Sequence, residues 1–342
     1  MFDPHYTITP KLLANIKKIT VLIEKLNSEV YPTVVLAELK RNAFSLSSYS
    51  STSIEGNPLP LSEVKIILKN NPKIIRDSER EVINYNNALK ELDMVVRERK
   101  GTLNLATILN TQKIVTNKLI GPENSGKLRT TQVYVKNPKL RKIIYMAPQA
   151  QDIRHLLDDL IQFVNSSKDI IDPLILAGIF HKQFVIVHPF TDGNGRTARL
   201  ITKLVLASMG LNTFSLFSFE NYYNQHIEKY FNTVGVVGHY YDEKDTIDFT
   251  PWLEYFTDGI IDELLRVRAI LKKQKKSSET VLKPHHETIL YHITKHGFIT
   301  DREYARITSR AKPTRHLDFK KLINLGLIQK KGNGRATIYI VR

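Results

Sequence analysis

His188-Pro189-Phe190-Thr191-Asp192-Gly193-Asn194-Gly195-Arg196-Thr197-Ala198-Arg199 lies between two apolar runs, Leu174 to Val187 and Leu200 to Met209. Leu200, Leu204 and Ala207 fall at helical spacing, so the stretch reads as helix, tight glycine loop, helix. Gly193 and Gly195 bracket Asn194, which lets backbone amides turn inward around an anion. The loop opens into a helix, whose N-terminal amides and dipole favour phosphate. Arg196 and Arg199 are three apart and lie on nearly one face of that helix. Two guanidinium forks beside an amide nest describe a polyphosphate clamp. Asp192 is a hard oxygen donor at the loop's edge, suited to one Mg²⁺ held against phosphates. His188 is the one group here that titrates near neutral pH, and so the candidate general base. The stretch holds no strong covalent nucleophile, which points to direct transfer from a nucleotide to an outside acceptor.

At every defined position the segment is similar to the signature of the Fic (Fido-fold) family, His-Pro-Phe-x-Asp/Glu-Gly-Asn-Gly-Arg-x-x-Arg. Ala177 to Phe184 also resembles that family's preceding helix. The resemblance implies a mainly α fold, a Fic helical core with a β-hairpin flap, and transfer of AMP from ATP to a hydroxyl side chain of a target protein. It implies His188 as the base and Asp192 as the ligand of an Mg²⁺ bridging the α- and β-phosphates. Gly193, Asn194 and Gly195 would line the anion hole, Arg196 and Arg199 would hold the outer phosphates, and Phe190 would anchor the loop. Family members that phosphorylate their targets tend to carry Lys in place of the second loop glycine. Gly195 therefore favours adenylylation.

The chain has 342 residues, enough for two or three domains with real cores. It has no Cys, which excludes disulfides, thiolate metal sites and Cys catalysis and fits a reducing compartment. No signal peptide is evident in Met1 to Thr20, and no run approaches the roughly 20 apolar residues that span a bilayer. A cytoplasmic protein with no membrane partner is the expectation. The formal net charge is +16, and from Ile261 to Arg342 there are 19 Lys/Arg against 7 Asp/Glu. Such asymmetry favours a polyanionic partner at that end.

Residues 1–100 read as an N-terminal helical region in which Pro10 opens a helix. Phe44 to Ile54 is rich in Ser, yet Gly56-Asn57-Pro58 is a strong helix stop. Ser51, Glu55 and Gly56 resemble the Fic inhibitory motif Ser/Thr-x-x-x-Glu-Gly/Asn, on a helix at about residues 43–56. In the family that Glu pairs with the second signature arginine and blocks seating of the γ-phosphate, which implies a Glu55–Arg199 pair. Helices are expected at 79–99 and 104–120, both as core elements without chemistry.

Within the expected catalytic core, 101–265, Val133 and Val135 alternate, and Ile143 to Met146 reads as a returning strand after the turn-rich Lys136 to Lys139. This hairpin is similar to the family's flap, which pairs edge-on with an extended target segment. Thr131, Gln132, Val133 and Tyr134 are its candidate docking residues, and Lys136, Lys139, Arg141 and Lys142 either select an acidic target or form an ordinary solvated turn. Helices follow at Asp152 to Val164, Phe219 to Phe231 and Asp248 to Ile260. Tyr230-Phe231 falls where the family has an aromatic pair near the adenine, and Tyr230 is the candidate wall of the base pocket.

Residues 266–283 read as a charged linker. In 284–342 the pattern is a helix from His286 to His296, a short strand at Ile299, a capping box at Thr300 to Glu303, and a helix from Pro313 to Asn324. A hairpin signal at Gly332-Asn333-Gly334-Arg335 closes it. The order resembles a winged helix-turn-helix, with Thr314, Arg315, Lys320, Lys321, Lys330, Lys331 and Arg335 as candidate DNA contacts. His285-His286 reads as a helix start and not as a metal pair. The chain is thus expected to be an autoinhibited protein adenylyltransferase. Two alternatives stand beside it: an ATP-sensing DNA-binding regulator with little transfer, and an enzyme that also removes AMP using Glu55. Self-modification and a homodimer stay open.

Overall fold

The computed structural model describes residues 2–29, 31, 33–70, 72, 75–98, 103–137, 142–207, 217–274 and 282–341. The chain divides into two compact units. One comprises Met1–Ser28 and Ala43–Val267, the other Glu29–Asn42 and Arg268–Arg342.

The first unit is built around the helix α7, Pro173–Val187. It is apolar except at His181, Lys182 and Gln183 and buried along nearly its whole length, as a helix at the centre of a core must be. Asp172 caps it by accepting from the Leu174 amide at 2.8 Å, and Pro173 occupies the first turn, where its missing N–H costs nothing. Around it lie α1 (Pro10–Ser28), the end of α2 (Thr33–Ile54), α3 (Leu61–Asn70), α4 (Asp77–Arg97), α5 (Leu105–Val115), α6 (Ile153–Ser167) and α8 (Asn194–Leu206). Phe180, Phe184 and Val187 of α7 meet Leu157, Leu160 and Val164 of α6, Ile108 of α5 and Ile201 of α8 in one core cluster.

Beyond α8 come α9 (Phe219–Gln225), α10 (Ile227–Val234), α11 (Tyr240–Glu243) and α12 (Thr250–Gln274). The expected single helix from Phe219 to Phe231 is broken at His226, which leaves helical geometry at φ −123°, ψ 45°. Trp252 of α12 donates its indole N–H to the Gly178 carbonyl at 2.7 Å. Strands β1 (Tyr134–Asn137) and β2 (Lys142–Met146) pair antiparallel, with Tyr134 opposite Met146. A two-residue strand β3 (Gly238–His239) pairs parallel with β2, so β1 is an edge of the described sheet. That third strand gives the hairpin a support which two strands alone lack. Lys139 and Arg141, candidates to select an acidic target, lie outside the described residues.

The Ser-rich segment is helical, against its local propensity. Ser48 and Thr52 return their hydroxyls to the carbonyls four residues back, each at 2.8 Å, so those hydroxyls are satisfied while the helix is buried. The helix ends in a left-handed cap. Gly56 has φ 94°, its N–H donates to Ser53 O at 2.9 Å, and the Asn57 N–H donates to Thr52 O at 3.1 Å.

The second unit contains α13 (Pro284–His296), α14 (Asp301–Ile307), α15 (Lys312–Asn324) and the antiparallel pair β4 (Ile328–Lys331) and β5 (Ile338–Val341). Ile299 bridges to Tyr339, and Thr300 with Glu303 forms the expected capping box. Its core gathers Ile289, Ile293, Ile299, Tyr304, Phe319, Leu322, Ile328 and Tyr339. Asp318 is buried among Tyr304 Oη at 2.9 Å, Arg310 Nε at 2.7 Å and the Nε2 atoms of His285 and His286 at 3.3 and 3.4 Å. The expected linker begins later than 266, because α12 continues to Gln274; residues 275–281 lie outside the described set.

Candidate active site

The chain leaves α7 through a strained residue. His188 takes a left-handed conformation, φ 50° and ψ 60°, while its N–H still bonds Phe184 O at 3.1 Å. A non-glycine residue there costs about 1–3 kcal/mol and persists only where its surroundings over-determine it. Buried Arg129 supplies much of that constraint. It donates Nε to His188 O at 2.8 Å, Nη1 to Thr131 O at 2.8 Å and Nη2 to Pro148 O at 2.5 Å. Its own N–H donates to Pro189 O at 3.0 Å. Phe190 is fully buried in the core, as an anchor should be.

Asn194 closes the loop from the other side. Its Oδ1 accepts from the Phe190 amide at 2.9 Å and its Nδ2 donates to Phe190 O at 2.8 Å. The Asn194 side chain therefore shapes the loop, which leaves its backbone amide as the group that could face an anion. Gly193, at φ 81°, is the residue before α8, so the amides of Asn194, Gly195 and Arg196 occupy its first turn. First-turn amides have no intrahelical partner.

The His188 ring has a defined tautomer. Nδ1 lies 3.1 Å from Val185 O, a pure acceptor, so Nδ1 carries the proton and Nε2 of the neutral ring is an acceptor. Burial lowers the His188 pKa below its ordinary 6.5, and the nearby Arg129 charge adds to this. The Val185 contact and the Glu55 and Asp192 charges oppose it without winning. His188 is therefore neutral at pH 7.

The two arginines diverge. Arg199, only 1% exposed, donates Nε to Ser51 Oγ at 2.7 Å, Nη2 to Ser51 O at 2.9 Å and Nη2 to Glu55 Oε1 at 2.6 Å. A Cβ at Gly195 would collide with Glu55 Oε1, so that carboxylate lies over the first turn of α8. Arg196 faces the other way, pairing Nη2 with both oxygens of Asp192 at 2.9 and 2.8 Å and Nη1 with Glu81 Oε1 at 2.7 Å. Asp192 remains 46% exposed. Gln112 of α5 fixes its backbone, donating Nε2 to Asp192 O at 3.1 Å and accepting from the Gly126 amide at 2.5 Å.

His188, Asp192, Gly193 to Arg196, Arg199, Ser51, Glu55 and Gly56 thus converge in the first unit. Tyr230 joins them in a different role from the one expected. It is buried, stacks on Tyr223 with centroids 4.7 Å apart, and turns its hydroxyl to Arg199 Nη1 at 3.3 Å and His181 Nε2 at 3.2 Å. It props an arginine and offers no face to a base, whereas its neighbour Phe231 is 50% exposed. Thr131, Gln132, Val133 and Tyr134 lead into the edge strand β1, and Gln132 Nε2 donates to Ala147 O at 2.6 Å. In the second unit Thr314 is half-buried and Lys320 exposed. Arg315 donates Nε and Nη2 to the two carboxylate oxygens of Asp301 at 2.8 and 2.9 Å. The Arg335 side chain lies outside the described set.

The helices α4 and α5 were expected to carry no chemistry, yet they supply Glu81 and Gln112. Arg129 also went unread, and Asn57 was read only as part of a helix stop. Each acts on a partner far away in the chain, so no local spacing marks it.

The core thus brings together a histidine, a glycine loop on a helix N-terminus and two arginines, a set of groups chemically suited to an anion. Residues 102–206 match the family model described as Fic/DOC family, and the chain carries a Fic domain. It is 34% identical over 183 residues to protein adenylyltransferase fic-1 of Caenorhabditis briggsae, covering 52% of this chain and 34% of that protein. It is 31% identical over 210 residues to protein adenylyltransferase fic-1 of Caenorhabditis elegans, covering 59% and 40%. The chain thus spans two-fifths or less of the length of these relatives. In fold it is similar to a Fic family protein from Desulfovibrio desulfuricans G20, with TM-score 0.65, 18% identity and coverage of 100% of this chain and 98% of that one. Among the described residues, no helix is long and apolar enough to cross a membrane.

Proposed function

We propose that this protein transfers AMP from ATP to a Ser, Thr or Tyr hydroxyl of a protein, and that the end of α2 holds it inhibited. The observation that carries this reading is the His188 ring. Its Nδ1 is committed to Val185 O, and its Nε2 is left as the basic atom beside the loop. The target hydroxyl gives its proton to Nε2 as its oxygen attacks the α-phosphorus. A new O–P bond forms, the bond from that phosphorus to the oxygen bridging the β-phosphate breaks, and pyrophosphate leaves. First-turn amides of α8, Arg196 and Arg199 hold the polyphosphate charge. Asp192 suits Mg²⁺, being a half-exposed hard carboxylate whose oxygens meet only one guanidinium nitrogen. A bound Mg²⁺ would neutralise phosphate charge. The relatives named protein adenylyltransferase support the same reading.

Inhibition follows from two features of Glu55. It occupies Arg199, and its carboxylate covers the amides where an anion would sit. The free edge of β1 supports a target segment added as a further strand, with Thr131 to Tyr134 alongside. The test is label transfer from α-labelled against γ-labelled ATP with Mg²⁺. Only the α-label should move to protein; transfer of the γ-label would overturn adenylylation.

The pKa direction of His188 sets the acid limb. The base form is lost as pH falls through its lowered pKa, so the acid limb of transfer should lie at lower pH than that of an ordinary imidazole. An acid limb centred at or above the ordinary imidazole value would count against a buried His188 as base.

A second reading concerns the second unit, whose helix order and hairpin support a winged helix-turn-helix that binds DNA. Lys320, Lys321, Lys330 and Lys331 are exposed there. Replacing Lys320 and Lys321 by Ala should weaken duplex binding. It should also flatten the dependence on salt by about one charge for each lysine that had met a phosphate. Unchanged affinity and slope would send that surface to a protein partner.

A further inference from the structure

Building on the adenylyltransferase reading, we infer that Glu81 is the positioning residue for Arg196 and that Asn57 sets Glu81. The turn that ends α2 then reaches both arginines, Arg199 through Glu55 and Arg196 through Asn57 and Glu81.

The Arg196 side chain is 5% exposed, and a buried guanidinium needs fixed acceptors. Its two terminal nitrogens have them, in Glu81 at 2.7 Å and Asp192 at 2.8 and 2.9 Å. Its Nε is buried without a partner among the described residues and is the donor held in reserve. A fork pinned at both tips cannot rotate, so the direction of that donor is fixed.

The two pins are unequal. Asp192 is half-exposed and is the carboxylate proposed to take Mg²⁺. Glu81 is 16% exposed, and it is the anion left to hold Arg196 once a cation draws on Asp192. The second oxygen of Glu81 accepts from Asn57 Nδ2 at 2.7 Å. Asn57 is fixed in turn: Nδ2 donates to Ser78 O at 2.9 Å, Oδ1 accepts from the Leu59 amide at 3.1 Å, and its own N–H closes α2 on Thr52 O. Burial raises the Glu81 pKa, while the Arg196 charge and the Asn57 hydrogen bond pull it back. Its charged form is therefore supported by the two residues it joins.

The test starts from Glu55→Gly protein, in which Glu55 no longer occupies Arg199, and adds Glu81→Gln, Glu81→Asp or Asn57→Ala. Two quantities are measured for each: the Kd of ATP with Mg²⁺ and the kcat and KM of α-label transfer, with thermal unfolding as a check of the fold. Without one charge-assisted hydrogen bond, Kd and KM should rise by about tenfold in Glu81→Gln. An effect confined to binding leaves kcat nearly unchanged. Glu81→Asp should recover part of the affinity, and Asn57→Ala should show a smaller rise in the same sense. Unchanged Kd in Glu81→Gln overturns the proposal. So does a parallel fall in kcat and melting temperature that Glu81→Asp fails to relieve, since that is the mark of a merely structural residue. Asn57→Ala matching its parent overturns the Asn57 link. If the Glu55→Gly parent binds ATP and transfers nothing, the adenylyltransferase reading fails while the Kd series still judges Glu81. A parent that binds no nucleotide overturns both.

Discussion

Replacing Glu55 by Gly is expected to raise α-label transfer by about 10- to 100-fold. That magnitude follows from a charge-assisted hydrogen bond being worth about 1.5–3 kcal/mol, with each 1.4 kcal/mol a factor of ten. The bond in question is the 2.6 Å contact from Arg199 Nη2 to Glu55 Oε1. On the proposed reading ATP would have to displace it to use Arg199, and would also have to displace the carboxylate lying over Gly195. Both obstacles disappear in Glu55→Gly, while Ser51 still receives Arg199 Nε at 2.7 Å and keeps the guanidinium in place. Glu55→Gln separates charge from shape. It keeps the bulk over the amides and weakens the hold on Arg199, so its rate should fall between the two. Equal rates in wild type and Glu55→Gly would sink the inhibitory role.

How much of this was legible in the sequence depends on how local each device is. The loop from His188 to Arg199 could be read because its residues act on each other or on their own backbone. Gly193 must adopt positive φ, and Phe190 must be buried. The cap at Gly56 could be read for the same reason. The pairing of Ser51 and Glu55 with Arg199 was reached by resemblance, since nothing within either segment names the other. Glu81, Gln112 and Arg129 were missed because an acid, an amide or a guanidinium in the middle of a helical or loop segment has an ordinary solvated alternative. Only packing shows which partner it meets. Tyr230 was set beside the adenine by resemblance, and the structure stacks its ring on Tyr223. Aromatic spacing on α10 cannot distinguish a ring stacked on Tyr223 from one that faces a ligand.

The Ser-rich stretch of α2 carries a physical lesson of its own. Ser47, Ser48, Ser50, Ser51 and Thr52 are all buried. Their small side chains bring the α2 backbone close enough for Arg199 to reach the Ser51 carbonyl at 2.9 Å. They also bury little apolar area, so this helix gains less from the hydrophobic effect than a leucine-rich one would. Much of its attachment is then polar and specific, which suits an element proposed to move.

His188→Ala is expected to have the largest effect of any single change, a loss of about 10²–10⁴ in transfer rate, the usual contribution of a positioned general base. The loss should fall on kcat. The groups proposed to hold phosphate are the first-turn amides of α8, Arg196 and Arg199, and the hydrogen bond of the His188 side chain goes to Val185 instead, so the Kd for ATP should hold. Backbone must be separated from chemistry, because His188 sits at φ 50° and an alanine there keeps the strain without the imidazole. Asn tolerates the left-handed region better than most residues and cannot serve as a base at neutral pH. His188→Asn should therefore keep its melting temperature and ATP affinity and lose transfer as fully as His188→Ala. If His188→Asn retained transfer within about tenfold of its parent, well short of the loss expected of a general base, the proton would have to leave by another group. The Nδ1–Val185 contact would then be a helix-ending device and no part of the chemistry.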